Sequence, residues 1–239
     1  MKGFSEASFQ VDAERGATVQ AIGLMIPIAL AVAISSVPIM TTLFILMSPN
    51  RSRSAVPFLV GWVGGIFLVV SACALLAQAV PAPRSPRRPD TVIGVLEILV
   101  GATLIVLGIV SWLRDRKGGP TSTPAWLSSA GKLGPWSSVG LGLVLNVRPK
   151  GLLLAIAGGL TVRADAGTVP EAVLAILVYT VIAASTVAVP ILATIISPTR
   201  MEPRLIAADG WMRRNGSTLT SLIIGVIGLV IVVMGIARL

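Results

Sequence analysis

Six apolar blocks, each close to the length that crosses a bilayer, constrain this chain more than any other feature. An α-helix needs about 20 apolar residues to span the roughly 30 Å hydrocarbon core. The blocks lie at residues 19–47, 55–80, 91–113, 137–160, 170–196 and 217–237. The segments between them are rich in Pro, Arg, Ser and Gly, the composition of turns, and are too short for a soluble domain. We therefore predict an all-α, polytopic membrane protein with six transmembrane helices.

The composition agrees with this class. Only 12% of the 239 residues are charged and 54% are hydrophobic, whereas soluble domains carry roughly 25% charged residues. The net charge of +9 comes mainly from loops beside the apolar blocks, where the positive-inside rule and anionic headgroups account for it. We expect no binding to nucleic acid. The loops after the first, third and fifth blocks hold more cations than the opposite side, which favours an outside location for both termini.

The residues that enzymes commonly use are scarce. The chain has no histidine, and its one cysteine, Cys73, lies inside an apolar block, where a packing role is expected. The sequence contains no Gly-rich phosphate loop, no paired carboxylates and no cluster of metal ligands. We therefore expect no enzymatic activity, no metal and no cofactor.

Two cations and a proline interrupt the fourth block, in the segment from Asn146 through Arg148, Pro149 and Lys150 to Gly151. Ionisable residues at membrane depth are costly, and they usually face protein or water at a functional site. Proline also frees a backbone carbonyl, which is tolerated where a cavity or another group can satisfy it. The pattern predicts an interrupted helix that lines a path for a polar or anionic substrate. The alternative is that both cations extend to an interface and anchor the helix.

A similar interruption is predicted in the first block, where Ser35 and Ser36 precede Pro38. These hydroxyls are candidates to hydrogen-bond a substrate, together with Asn146, although a proline kink with serines bonded to their own helix would give the same pattern. Glu97, the acid inside the third block, is a candidate either for proton coupling or for an ion pair with Lys150.

A tight turn after the first block carries two further cations. Arg51 and Arg53 follow Ser48-Pro49-Asn50, and they are candidates for contacts with anionic headgroups, although topology alone would place cations at this surface.

Three correspondences in the same order suggest two halves of three helices each. The Pro38 region matches the Pro149 region, Pro57 matches Pro170, and the Gly101–Gly108 spacing matches Gly228–Gly235. Because each half has an odd number of spans, the halves must face opposite ways, as in the inverted repeats of many transporters. We therefore predict a polar N-terminal segment at 1–18, repeats at 19–113 and 137–239, a connecting loop at 114–136, and breaks in the first and fourth helices.

Several motifs resemble the peptidoglycolipid- and sulfolipid-addressing (GAP) family of actinobacteria, within the lysine-exporter superfamily. They are Ser-Val-Pro-Ile-Met and the following Leu-Phe-Ile-Leu-Met-Ser-Pro-Asn-Arg at 36–51, Phe-Leu-Val-Gly-Trp at 58–62, Leu-Asn-Val-Arg-Pro-Lys-Gly-Leu-Leu-Leu at 145–154, and the segment from Trp211 to Asn215. The family usually has Asn-Pro-Lys, whereas Val147 and Arg148 separate Asn146 from Pro149 here.

The resemblance implies export or flipping of a complex glycolipid by a multi-pass protein of the cytoplasmic (inner) membrane. It assigns a substrate-path role to Pro38, Asn146, Pro149 and Lys150. Expected partners are anionic or glycosylated membrane lipids, and a second copy of the chain and the envelope-lipid synthesis machinery are further candidates. The alternatives are an exporter of a small solute (an amino acid or ion) and a scaffold for lipid synthases without transport activity. A cationic solute would be repelled by Arg148 and Lys150.

Overall fold

The computed structural model describes residues 23, 25–79, 91–117 and 134–237, with the backbone alone at residues 114–117, 213, 216, 217 and 220. The predicted segment 1–18 and residues 118–133 of the predicted loop lie outside the described residues. The described part of the chain is helical and contains no strand, which confirms the all-α prediction. The helices are α1 (Met25–Ala33), α2 (Ser36–Leu46), α3 (Arg51–Ala77), α4 (Thr91–Lys117), α5 (Pro135–Asn146), α6 (Pro149–Asp165), α7 (Val169–Ile196) and α8 (Pro198–Ala237).

Three of these helices are long and apolar enough to cross a membrane, namely Arg51–Ala77, Thr91–Leu113 within α4, and Val169–Ile196. Two helix pairs reach this length together but are bent, α1 with α2 by 46° and α5 with α6 by 66°. The described residues therefore hold up to five candidate spans if each bent pair is one span, and Ser221–Ala237 is a shorter apolar helix. These features are those of a multi-pass membrane protein.

Helix α8 differs from its predicted bounds. It begins at Pro198 rather than near residue 217, and its 40 residues correspond to about 60 Å at 1.5 Å per residue, twice the hydrocarbon thickness. The polar first half is helical because it still has one apolar face, on which Leu205 and Met212 are buried seven residues apart. Since the apolar part is Ser221–Ala237, the first half lies at one end of the bundle.

Glycines bring α4 and α8 into direct backbone contact. A β-carbon added to Gly101 would lie 2.7 Å from the Gly228 carbonyl oxygen, and one added to Gly228 would lie 2.8 Å from the Gly101 oxygen. Small residues allow membrane helices to pack this closely. Along the same antiparallel interface, Gly108 lies opposite Ser221, and Gly235 lies opposite Gly94.

Helix α3 is the main support of the broken pair α5–α6. Gly142 of α5 approaches α3 so closely that an added β-carbon would lie 2.6 Å from the Trp62 nitrogen. Gly159 of α6 makes a similar approach to the backbone of Cys73, which is half-buried, in agreement with its expected packing role. By contrast, α4 packs mainly on α8 and to a lesser extent on α6. The two supports, α3 and the α4–α8 pair, therefore lie on different sides of the bundle core.

Candidate functional site: a cavity between two broken helices

The first helix break lies at Ile34 and Ser35, and α2 restarts at Ser36. Ser35 has an extended backbone (φ −73°, ψ 123°). Pro38, where the break was predicted, lies in the first turn of α2 instead. Proline is tolerated there because the first turn has no intrahelical partner for its missing N–H. The break therefore comes before the proline, in the preceding residues.

The second break lies at Val147 and Arg148, inside the predicted segment. Pro149 is the first residue of α6, and Arg148 before it is extended (φ −70°, ψ 150°). The proline ring disfavours helical conformation in the residue that precedes it, so α5 ends at Asn146. Local proline chemistry is sufficient to explain the 66° bend between α5 and α6.

A cavity of about 410 Å³ lies between the two breaks, with at least one lining residue from every helix. Its lining includes all seven residues predicted to contact substrate, which are Ser35, Ser36, Pro38, Asn146, Arg148, Pro149 and Lys150. The three residues of the first break and the four of the second break line one cavity, although more than a hundred positions separate them in the chain. Whether they bind a substrate stays a prediction.

The charge of the cavity is entirely positive among its described lining residues. Arg148 and Lys150 are its charged side chains, and both are half-buried. None of the described residues that line it is acidic. The first turns of α2 and α6 also line the cavity, and helix N-termini carry partial positive charge. The arrangement is suited to holding an anion.

Asn146 has a structural role that the sequence did not reveal. Its side chain is 7% exposed, and its Nδ2 donates hydrogen bonds to the carbonyl oxygens of Gly142 at 2.9 Å and Trp62 at 3.4 Å. The bond to Trp62 ties the end of α5 to α3. Asn146 was predicted to hydrogen-bond substrate, and its amide nitrogen instead holds the second break in place.

A comparable bond holds the first break. The Thr186 hydroxyl of α7 donates a 2.5 Å hydrogen bond to the carbonyl oxygen of Ala33, the last residue of α1. Carbonyls in the last turn of a helix lack an intrahelical donor, so Thr186 satisfies a group that the break exposes. Thr186 could not be identified from the sequence, because one threonine within an apolar block is not distinctive.

Two aromatic residues of the cavity wall were also missed. Trp62 and Tyr179 line the cavity and are almost completely buried. Tyr179 is the single tyrosine of the chain, and its place in the middle of the fifth block is the signal that could have identified it. Trp62 lies in one of the motifs that carry the family resemblance.

The remaining predicted residues lie away from the cavity. Glu97 is 1% exposed on α4 and does not line it, whereas Leu107 of the same helix does. Arg51 and Arg53 lie in the first turn of α3, half-buried and exposed respectively, and do not line it either. Among the described residues, no group of three or more His, Cys, Asp or Glu side chains could hold a metal ion.

Comparison with known proteins gives one assignment. No curated protein and no solved structure matches the chain significantly. The family described as Sap, sulfolipid-1-addressing protein, matches residues 25–237, which include both broken helices and every residue that lines the cavity. The match covers far more than half of the chain, and the chain belongs to this sulfolipid-addressing family.

Proposed function

We propose that this protein is a transporter of the cytoplasmic membrane that binds the anionic headgroup of an envelope lipid in its cavity and moves the lipid between leaflets. The observation that carries the proposal is the pair Arg148 and Lys150, which are the charged residues among the described lining of a cavity between two broken helices. Membership of the sulfolipid-addressing family supports a role in the handling of envelope lipids.

The chemistry of the cavity favours an oxyanion such as a sulfate or phosphate group. An arginine guanidinium and a lysine ammonium both form charge-assisted hydrogen bonds with such oxygens. Ser35 and Ser36, at the first break, line the same cavity and supply hydroxyl groups. A cation would meet two like charges at low dielectric and would be repelled.

The proposal includes six spans in two inverted halves, with α8 as the sixth span. The contacts between α4 and α8 support this arrangement. In the predicted repeat Gly101 corresponds to Gly228 and Gly108 to Gly235, and at the same spacing Gly94 corresponds to Ser221. When each residue is replaced by its counterpart in the other half, the Gly101–Gly228 contact maps onto itself. The Gly108–Ser221 contact becomes the Gly235–Gly94 contact, which the structure also contains. This is the pattern of contacts around a two-fold pseudosymmetry axis.

Inverted halves give a physical route to transport, because rocking one half against the other exposes a central site to each side in turn. We propose no enzymatic step and no cofactor in this cycle. The lipid's own concentration difference, an ion gradient or a partner protein would drive net movement. Glu97, buried in α4, remains the candidate for proton coupling.

The test is leaflet exchange in liposomes containing the purified protein and a fluorescent lipid with a sulfate or phosphate headgroup. We compare the wild type with Arg148→Ala and Lys150→Ala, and the control is Arg200→Ala, which removes an exposed cation outside the cavity. A hydrogen bond to a charged group contributes about 1.5–3 kcal/mol, or roughly 10- to 100-fold in an equilibrium constant. We expect at least a tenfold slower exchange in the two cavity variants and wild-type rates in Arg200→Ala.

Equal exchange in all four proteins, at equal folding, would overturn the proposed headgroup site. A wild-type protein that exchanges no lipid but accumulates a soluble solute would support the small-solute exporter instead. If it moves neither lipid nor solute, the scaffold alternative would replace transport.

A further inference from the structure

The volume of the cavity limits what part of a lipid can enter it. At about 410 Å³ it lies near the lower end of the roughly 300–1,000 Å³ typical of small-molecule pockets. One acyl chain that reaches the bilayer centre is about 15 Å long, half of the hydrocarbon thickness. A headgroup together with two or more such chains does not fit. The cavity therefore matches a headgroup in size rather than a whole lipid.

We infer that only the anionic headgroup of the lipid occupies the cavity, entering sideways between α4 and the second break, while the acyl chains stay in the bilayer. This inference rests on the proposed function and adds to it the entry path and the size of the headgroup. The substrate class is therefore an amphiphile whose head is a small oxyanion-bearing group.

The exposure of the second break supports a sideways opening at this position. Val147 is 58% exposed, and Pro149 is exposed too. The neighbouring Arg148 and Lys150, which line the cavity, are half-buried. Helix α5 has 12 residues, or about 18 Å at 1.5 Å per residue. Its end therefore reaches the middle of the bilayer. At that depth an exposed side chain faces hydrocarbon rather than water.

The other side of the opening is Leu107 of α4. Leu107 lines the cavity and is half-buried, whereas its neighbour Val106 is 57% exposed. Leu107 thus lies where the cavity-facing side of α4 meets the lipid-facing side. Among the described residues, α5 packs on α3 and makes little contact with α4. Helix α4 does contact α6, where Ile93 and Leu160 pack together, but Leu160 lies eleven residues beyond Pro149. The end of α5 is therefore not sealed against α4 by direct helix packing.

Tight packing near the start of α1 argues against a path along the bundle axis in that direction. Gly158 of α6 is surrounded by Tyr179, Val70 and Met25, each within 3.6 Å of a β-carbon built on it. These three side chains are at most 1% exposed. The core on that side of the cavity is packed, which closes the route toward that end of the bundle.

The test places bulk at the opening and compares two adjacent positions. Leu107→Trp should obstruct the headgroup path, and Val106→Trp adds the same side chain on the lipid-facing side of α4. We expect lipid exchange to fall at least tenfold in Leu107→Trp and to stay at the wild-type rate in Val106→Trp. Binding of inorganic sulfate, measured by calorimetry in detergent, should be retained in both variants, because neither substitution removes Arg148 or Lys150.

A second version of the test adds the bulky group only after the protein has folded. In a Cys73→Ser background, Leu107→Cys or Val106→Cys is reconstituted and then alkylated with a bulky thiol reagent. Exchange should fall after labelling only at position 107. If labelled or Trp-substituted position 107 exchanges lipid as fast as position 106, the sideways path is wrong, although the headgroup site still stands. If Lys150→Ala has no effect either, the proposed function itself has failed.

Discussion

At the scale of single residues, Asn146 illustrates how one side chain positions the cations beside it. Its Nδ2 bond to the Trp62 carbonyl fixes the end of α5 against α3, and Arg148 and Lys150 follow directly. Gly65 of α3 makes room for this amide, because a β-carbon at that position would lie 2.5 Å from Asn146 Nδ2. A β-carbon on the adjacent Gly64 would have no heavy atom within 4 Å.

We expect Gly65→Ala to displace Asn146 and to loosen the second break, whereas Gly64→Ala should be harmless. Overpacking of this kind costs about 1–3 kcal/mol, so the melting temperature of Gly65→Ala in detergent should fall below that of Gly64→Ala. Sulfate affinity should fall with it, because the cations lose their support. Identical melting temperatures and affinities in the two variants would show that the Asn146–Trp62 bond does not position the site.

At the scale of helices, each broken pair is tied to a long helix of the other proposed half. Helix α5 is held by the Asn146 bond to α3, and α1 is held by the Thr186 bond from α7. A broken helix exposes carbonyls in its last turn and amides in its first, and in lipid these must be satisfied within the protein. The long helices therefore do more than surround the cavity, since they also stabilise its two interruptions.

Thr186→Val tests the tie at the first break. It keeps the shape of the side chain but removes the donor to the Ala33 carbonyl, and we expect a loss of about 1 kcal/mol, typical of hydrogen bonds between membrane helices. Thr194→Val on the same helix is the control, because the Thr194 hydroxyl bonds the Pro190 carbonyl of its own helix. Thermal unfolding in detergent should show a larger decrease for Thr186→Val. A decrease of equal size in both variants would contradict a special role for Thr186.

At the scale of the whole molecule, the bent pair α5–α6 has the geometry either of a broken span or of a re-entrant loop, which returns to the side from which it entered. The proposed inverted halves require that the pair crosses the membrane. The turn before α3 and the turn before α8 then lie on one side, because four spans separate them, and the turn before α7 lies on the other side. A re-entrant α5–α6 would instead place the turns before α3 and α7 together.

Single cysteines at exposed positions in or directly beside these turns distinguish the two topologies. In a Cys73→Ser background we would label Asn50→Cys, Gly167→Cys and Thr199→Cys with a membrane-impermeant maleimide in intact cells and in lysed cells. We expect Asn50→Cys and Thr199→Cys to share one labelling pattern and Gly167→Cys to show the opposite one. Joint labelling of positions 50 and 167, with position 199 opposite, would disprove the six-span arrangement.

Much of the fold and the position of the second break could be predicted because both depend on neighbouring residues. Hydropathy is a sum over consecutive positions, so the apolar blocks identify a helical membrane protein directly. The conformation before Pro149 follows from its ring. The start of α8 could not be predicted in this way, because its polar first half is helical through the packing of Leu205 and Met212 on the rest of the bundle.

Composition and backbone chemistry are enough to identify an all-helical membrane protein with cations beside a proline in the fourth apolar block, since both are local properties. Tertiary packing is needed to bring both breaks to one cavity, to complete its wall with Trp62, Leu107 and Tyr179, and to bind the Asn146 amide nitrogen to backbone carbonyls. Those contacts join residues far apart in the chain. Their proximity depends on how the eight helices of the described residues pack together, which no short stretch of sequence records.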